Sequence, residues 1–150
     1  MRSTTHPVNE FVAGFIGEPP MNFLPCKPQA EGDELRLHAS DNSFQLALPN
    51  ELRQRVLENN PTEVHLGIRP VHMQVAPTAT NGDQADLTLR GDIYTYEDLG
   101  EEGQLAAYIG QQQVLAVVAT GLELERGDAV SLQLRPDRIH LFDAKTQLAL

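Results

Sequence analysis

Few residues in this sequence have the types and spacing that chemistry requires. The histidines are His6, His38, His65, His72 and His140, and no two of them form the His-Glu-x-x-His pattern that puts two zinc ligands on one helix face. A single cysteine cannot build a thiolate metal cage. The sequence contains neither a Gly-x-Ser-x-Gly elbow for a nucleophilic serine nor a Gly-x-x-x-x-Gly-Lys-Ser/Thr loop for phosphates. We therefore expect no catalytic, cofactor-binding or metal-ligating residue in this chain.

Composition and charge exclude further classes of protein. The 150 residues are 41% hydrophobic and 21% charged, which is typical of one globular domain with one core. The net charge of −10 repels polyanions, so nucleic acid and anionic lipid are unfavourable partners. No apolar run approaches the roughly twenty residues that cross a bilayer. With no signal-peptide pattern and no partner for the one cysteine, these features predict a cytoplasmic protein.

A strand–corner–strand pattern occurs twice. Residues 64–73 and 130–139 align without gaps, and in each an Arg-Pro pair follows alternating apolar residues. The candidate corner residues are Arg69, Pro70, His72, Arg135 and Pro136. The pattern favours two related β units, and chance similarity between amphipathic strands is the alternative. The arginines could join interdomain ion pairs or be solvated. His72 could bind a ligand or sense pH, or it could be a solvated or core-satisfied histidine.

The elements that must position these residues follow from hydrophobic periodicity. Apolar residues spaced by three and four predict a short N-terminal helix over 7–16, which the prolines at 19 and 20 end. From Leu35 the period is two, and this predicts a hairpin over 35–48. A helix capped by Asn50 should run to about Asn59, with Leu52 and Val56 on one side. The strands expected after it are 64–68, 71–75, 85–96, 104–109, 114–120, 129–134 and 138–142, with Gln111 to Gln113 as a hairpin tip.

Many short strands at this spacing predict a mainly β protein, an antiparallel barrel built from two related β units. Gly91, inside the longest expected strand, has the position of a bulge or barrel corner, or is simply a weak point.

Four segments resemble a known family and occur in that family's order. Residues 7–24, Pro-Val-Asn-Glu-Phe-Val-Ala-Gly-Phe-Ile-Gly-Glu-Pro-Pro-Met-Asn-Phe-Leu, resemble the segment that leaves the nucleotide-binding domain in the ATP-binding subunits of carbohydrate ABC importers. Residues 66–72 are similar to the family's Leu-Gly-Ile-Arg-Pro-Glu-His, residues 99–102 to its Leu-Gly-x-Glu, and residues 139–143 to its closing His-Leu-Phe-Asp. The chain thus resembles the C-terminal regulatory domain of the maltose-type importer ATPase family.

This resemblance implies an OB-fold-like regulatory (TOBE) domain over 25–150, preceded over 1–24 by a linker and helix that leave the nucleotide-binding domain. In this family the ATP- and Mg-binding motifs lie upstream of the position of Met1, so we expect no cofactor and no catalysis in this chain. The implied partners are its own ATPase domain, a second copy of itself and, indirectly, the membrane permease, with a regulatory protein as a further candidate. The implied role is non-catalytic support, at the inner face of the cell membrane, for ATP-driven import of a sugar, polyol or glycerol phosphate.

Two groups of residues are candidates for contact in such an assembly. The interdomain or dimer contact is expected from Phe11, Phe15, Pro19, Met21, Asn22 and Phe23, and the alternative is that this apolar stripe packs on its own domain. The acidic loop around Leu99, Gly100 and Glu102 is a candidate regulatory docking loop, and its alternative is a solvated turn.

A different class of function is an OB-type module that binds nucleic acid or a small oxyanion. The negative charge and the low aromatic content, 5% of residues, argue against nucleic acid. A hydrolase would need a catalytic motif that the sequence lacks.

Overall fold

The computed structural model describes residues 21–75 and 87–150. In these ranges the chain forms antiparallel strands, one α-helix and short 3-10 turns. The strands are β1 (Asn22–Glu31), β2 (Glu34–Ala39), β3 (Gln45–Ala47), β4 (Val64–Ile68), β5 (Met73–Val75), β6 (Thr88–Asp98), β7 (Gly103–Ile109), β8 (Gln112–Val118), β9 (Ala129–Leu134) and β10 (His140–Asp143). The helix α1 is Asn50–Asn59, and the 3-10 turns are Pro70–His72 and Pro136–Arg138.

The strands form two five-stranded sheets. The first has the order β10-β4-β1-β2-β3 and the second the order β5-β9-β6-β7-β8. Each Arg-Pro corner moves the chain between the sheets: the first leads from β4 to β5 and the second from β9 back to β10. The two copies of the repeated sequence pattern are therefore two equivalent connections between the sheets. This agrees with the prediction of two related β units.

The core lies between the sheets and is built from the apolar positions of the alternating strands. In β2, Leu35, Leu37 and Ala39 are buried while the residues between them are more exposed, which is the expected period of two. Helix α1 covers one side of this core with Leu52 and Val56. The mainly β, OB-like fold class is confirmed, while the expected N-terminal helix over 7–16 lies outside the described residues. Of the helices in the described ranges, none has the length and apolarity to cross a membrane.

Several element boundaries differ from those expected. The residues expected to open strands at Val71 and Arg138 belong instead to the 3-10 turns, because proline in the first turn fixes a helical φ. Pro49, not Asn50, holds the cap position of α1, and no side chain caps the helix there. Gln112 and Gln113 lie in β8, so the hairpin tip is at Gly110 and Gln111.

The bulge in β6 is not at Gly91. The register with β7 shifts between Ile93 and Thr95, so Tyr94 is the extra residue. Gly91 keeps its place in the β6–β9 pairing, opposite Val130. Because Gly91 has no side chain, β7 can lie close to its backbone. A Cβ at this position would collide with the carbonyl oxygen of Tyr108 and lie 2.7 Å from Cδ1 of Ile109.

Candidate functional site

Met21, the first residue that the structure describes, is only 4% exposed. Its side chain packs with Phe142 of β10 and Phe23 of β1. The Phe23 and Phe142 rings meet edge to face with centroids 5.9 Å apart. Gly67 in β4 leaves the space for this cluster, since a Cβ there would collide with Met21 Sδ and lie 3.0 Å from the Phe142 ring. Met21 thus packs on its own domain, the alternative that the sequence left open, and half-buried Phe23 is more accessible.

Asn22 joins the two sheets through its side-chain amide. Nδ2 donates to the carbonyl oxygen of Leu115 at 2.8 Å and to that of Ile68 at 3.2 Å, and Oδ1 accepts from the Leu115 N–H at 2.9 Å. Leu115 lies on β8, the edge of the second sheet. The amide therefore pairs with this edge as a neighbouring strand would, and it satisfies backbone groups that an edge leaves open.

Replacing Asn22 with alanine should lower the free energy of unfolding by about 2 kcal/mol, because it removes these bonds and separates the β8 edge from β1. Urea denaturation measures the change. Asn59→Ala is the matched control: Asn59 donates to Arg55 O on an exposed helix face, and its loss should cost no more than about 0.5 kcal/mol. Equal effects of the two substitutions would contradict the inter-sheet role.

Three other residues of the expected contact set, Phe11, Phe15 and Pro19, lie outside the described residues. Strand β1 begins at Asn22, ahead of the expected domain start at residue 25. The assignment of Phe11, Phe15, Pro19, Met21, Asn22 and Phe23 to an interdomain or dimer contact stays a prediction.

The two Arg-Pro corners lie against each other. Each turn is closed by the same bond, from His72 N–H to Arg69 O at 2.9 Å in the first and from Arg138 N–H to Arg135 O at 3.0 Å in the second. The Arg135 N–H also donates to His72 O at 3.2 Å and joins the two turns. Pro70 is buried, whereas Pro136 is exposed beside a cleft of about 490 Å³.

The electrostatics of these corners centre on His72. Burial lowers the pKa of this imidazole below its usual 6.5, and the positive charges of Arg138, Arg135 and Arg69 lower it further. Asp137 acts in the opposite direction. Burial also lowers the pKa of Arg69. The sequence predicts that Arg138 begins a strand and so does not identify it as a member of this group. In the alignment of residues 64–73 with 130–139, however, Arg138 is the equivalent of His72.

His72 should make folding stability pH-dependent. Well above pH 6.5 the imidazole is neutral in both the folded and the unfolded chain, so it does not change the free energy of unfolding. As the pH falls below 6.5 the unfolded chain takes up the proton first, because the folded-state pKa is lower, so the free energy of unfolding decreases. Urea midpoints between pH 7.5 and 5 should therefore fall less in His72→Gln than in the original chain. Parallel pH profiles would contradict this assignment.

The loop expected to be a regulatory surface is held as a tight turn. The Asp98 carboxylate accepts from Gly100 N–H at 3.0 Å and from Gly121 N–H at 2.9 Å, and these bonds lower its pKa. Gly100 has a φ of +97°, which favours glycine. Leu99 is 52% exposed at the tip and Glu102 is exposed beside it. The geometry leaves Leu99 accessible, and docking at this loop stays a prediction.

Sequence reasoning missed one surface cluster. Tyr94 and Tyr108 meet edge to face at 5.7 Å, and the Arg126 guanidinium lies 4.7 Å from the centroid of the Tyr94 ring. Tyr94 is the extra residue of the β6 bulge, and a bulge has no reliable signal in one sequence. Within the described ranges, no group of three or more His, Cys, Asp or Glu side chains could hold a metal ion.

Comparisons with known proteins agree on the type of domain. Residues 17–73 match the family model of the MalK OB fold domain, and residues 66–142 match that of the TOBE domain. The maltose/maltodextrin import ATP-binding protein MalK of Salmonella typhimurium is 37% identical over 139 residues, which cover 91% of this chain and 35% of that protein. MalK of Yersinia pestis bv. Antiqua is 36% identical over 144 residues, with the same coverage. The chain thus spans about a third of the length of these relatives.

The fold also occurs in a solved structure. The cytoplasmic molybdate-binding protein ModG, with molybdate bound, superposes with a TM-score of 0.62 and 16% identity, over 80% of this chain and 94% of that one. At this identity the likeness concerns the fold.

Proposed function

The chain belongs to the TOBE domain family, and on this premise we propose that it is the non-catalytic regulatory and dimerisation domain of the ATP-binding subunit of a carbohydrate importer. The observation that carries the proposal is the 37% identity to a maltose/maltodextrin import ATP-binding protein over 91% of the chain. The proposed partners are an ATPase domain on the same chain, a second copy, and indirectly a membrane permease, with ATP and Mg bound by the ATPase domain.

The physical task of such a domain is to hold two ATPase domains near each other while they open and close. A contact that does not depend on nucleotide keeps the two halves at a high effective concentration. A regulator that binds one of the open and closed arrangements more tightly shifts the equilibrium between them. The size of the shift is limited to the difference between its two affinities. A firmly attached entry segment suits this task, and the buried Met21 and the three bonds of Asn22 supply it.

Sedimentation equilibrium of the 150-residue chain tests the dimerisation. We expect a reversible dimer at roughly micromolar concentration. Phe23→Ala should weaken it, whereas Leu57→Ala, which truncates a side chain 54% exposed on helix α1, should not. A monomer at roughly millimolar concentration, or ATP hydrolysis by the chain alone, would overturn the proposal.

A further inference from the structure

We propose that a cleft between helix α1 and the two sheets binds a free α-amino acid with an apolar side chain. The cleft has a volume of about 490 Å³, which is in the range of small-molecule sites. Its walls are the start of β2, the segment from the end of β3 into α1, and the end of β9. This inference goes beyond the proposed regulatory and dimerisation function and does not depend on it.

The floor of the cleft is apolar. Leu35 of β2 and Leu134 of β9 both line it, and they are 7% and 1% exposed. The half-buried Leu48, which follows β3, lines it as well. The bond from Leu48 N–H to Leu35 O, 3.1 Å long, holds two of these walls together. The floor is thus a preformed apolar surface that can take an aliphatic side chain out of water.

The rim of the cleft carries a cation without a carboxylate partner. Arg53, in the first turn of α1, lines the cleft and is half-buried. In the described part of the chain, no carboxylate lies within ion-pair distance of its guanidinium group. Arg55 on the same helix is exposed and pairs with Glu51 at 3.1 Å. Because a guanidinium group can bind a carboxylate through two parallel hydrogen bonds, Arg53 is the group that would hold the carboxylate of the ligand.

The same rim carries an anion on the β2 side. Glu34 lines the cleft and is exposed. Its Oε2 atom contacts Arg36 Nη2 at 2.9 Å and Arg36 Nε at 3.2 Å. Among the described residues, Glu34 Oε1 has neither a hydrogen-bond nor an ion-pair partner. This oxygen can therefore accept a hydrogen bond from an ammonium group in the cleft.

Opposite charges at the rim and leucines at the floor select the class of ligand. In a free α-amino acid the carboxylate and the ammonium group share one carbon atom, and the side chain extends away from both. The zwitterion has no net charge, so the net charge of −10 on the chain does not repel it as it would repel a simple carboxylate. A peptide carries its two charged termini far apart, so this arrangement favours the free amino acid.

NMR titration of the 150-residue chain with L-leucine tests the proposal. We expect saturable shifts at Leu35, Leu48 and Leu134, with one site per chain and a dissociation constant of roughly 1 mM. Three probes each lack one part of the ligand: leucinamide the carboxylate, N-acetylleucine the ammonium group, and glycine the side chain. Each should bind about tenfold more weakly or worse.

Variants of the chain assign the two charges. Arg53→Gln should weaken leucine binding about tenfold and remove the preference for leucine over leucinamide. Glu34→Gln should remove the preference for leucine over N-acetylleucine. Arg55→Gln is the matched control, because it removes the same charge two residues away outside the cleft lining, and its affinity should stay within about twofold.

Thermal unfolding checks that each variant is folded. The absence of saturable shifts up to roughly 20 mM leucine would overturn the proposal, as would shifts confined to residues outside the cleft. Equal affinities for leucine and leucinamide in the original chain, or equal losses in Arg53→Gln and Arg55→Gln, would also overturn it. Sedimentation, which tests the dimerisation, is a separate measurement, so either proposal can fail alone.

Discussion

Gly91→Ala is expected to destabilise the domain by about 3 kcal/mol, near the upper end for an overpacked interior. The added Cβ would collide with the Tyr108 carbonyl oxygen and crowd Ile109. The carbonyl belongs to β7, whose pairing with β6 begins next to this point, at Asp92 and Tyr108. It can move only if that pairing is disturbed, because interiors are packed as closely as crystals.

Urea denaturation of Gly91→Ala beside Gly32→Ala measures this effect. Gly32 lies in the turn between β1 and β2 at a φ of +64°, and nothing is within 4 Å of a Cβ built there. Alanine at that position should lower the free energy of unfolding by only about 1 kcal/mol, because its side chain disfavours the left-handed backbone conformation. If Gly91→Ala lowers the free energy of unfolding no more than Gly32→Ala does, β6 and β7 move apart without a cost in stability, and the expectation is wrong.

The Cys26 thiol is expected to react with iodoacetamide at least about a thousandfold more slowly in the folded chain than in the unfolded chain. Burial raises its pKa from 9.0 to about 12, with smaller contributions from the negative charges of Glu63 and Asp41, while a backbone hydrogen bond near Leu66 opposes the rise. A rise of this size lowers the thiolate population about a thousandfold near neutral pH, and the thiolate is the reactive form. The side chain is also fully buried in β1.

Mass spectrometry after timed labelling measures both rates, with the chain in urea as the reference. Labelling of the folded chain should proceed through opening of the first sheet, so its rate should rise in Asn22→Ala. Labelling at the unfolded rate under native conditions would contradict the burial of Cys26.

Much of the fold could be predicted from periodicity. The alternation in β2 and in Ala129–Leu134, and the spacing of Leu52 and Val56 in α1, depend on which side chains face the core, and this information is local. Strand β1 was not predicted, although it is central in the first sheet. It contains Pro25 and Pro28, which usually argue against a central strand.

The candidate site was predicted less completely, and the reason is also physical. The sequence identified Arg69 and Arg135 as equivalent corner residues, but their contact depends on how two distant crossings pack. Arg138 entered the group because Pro136 turns the chain before it. Likewise, the pairing of Asn22 with Leu115 joins positions far apart in the chain, and no local pattern encodes it.

The last strand, β10, returns to the first sheet and pairs with β4. The C-terminal residue then contacts β10, because the Leu150 N–H donates to the Leu141 carbonyl oxygen. On the ribosome, residues 22–68 therefore emerge long before the strand that covers one side of them. The first sheet is complete only when β10 has paired with β4, so its folding ends only after nearly the whole domain has been synthesised. Nascent chains that stop before His140 would leave the β4 edge bare and should be removed by proteases rather than accumulate as a folded half.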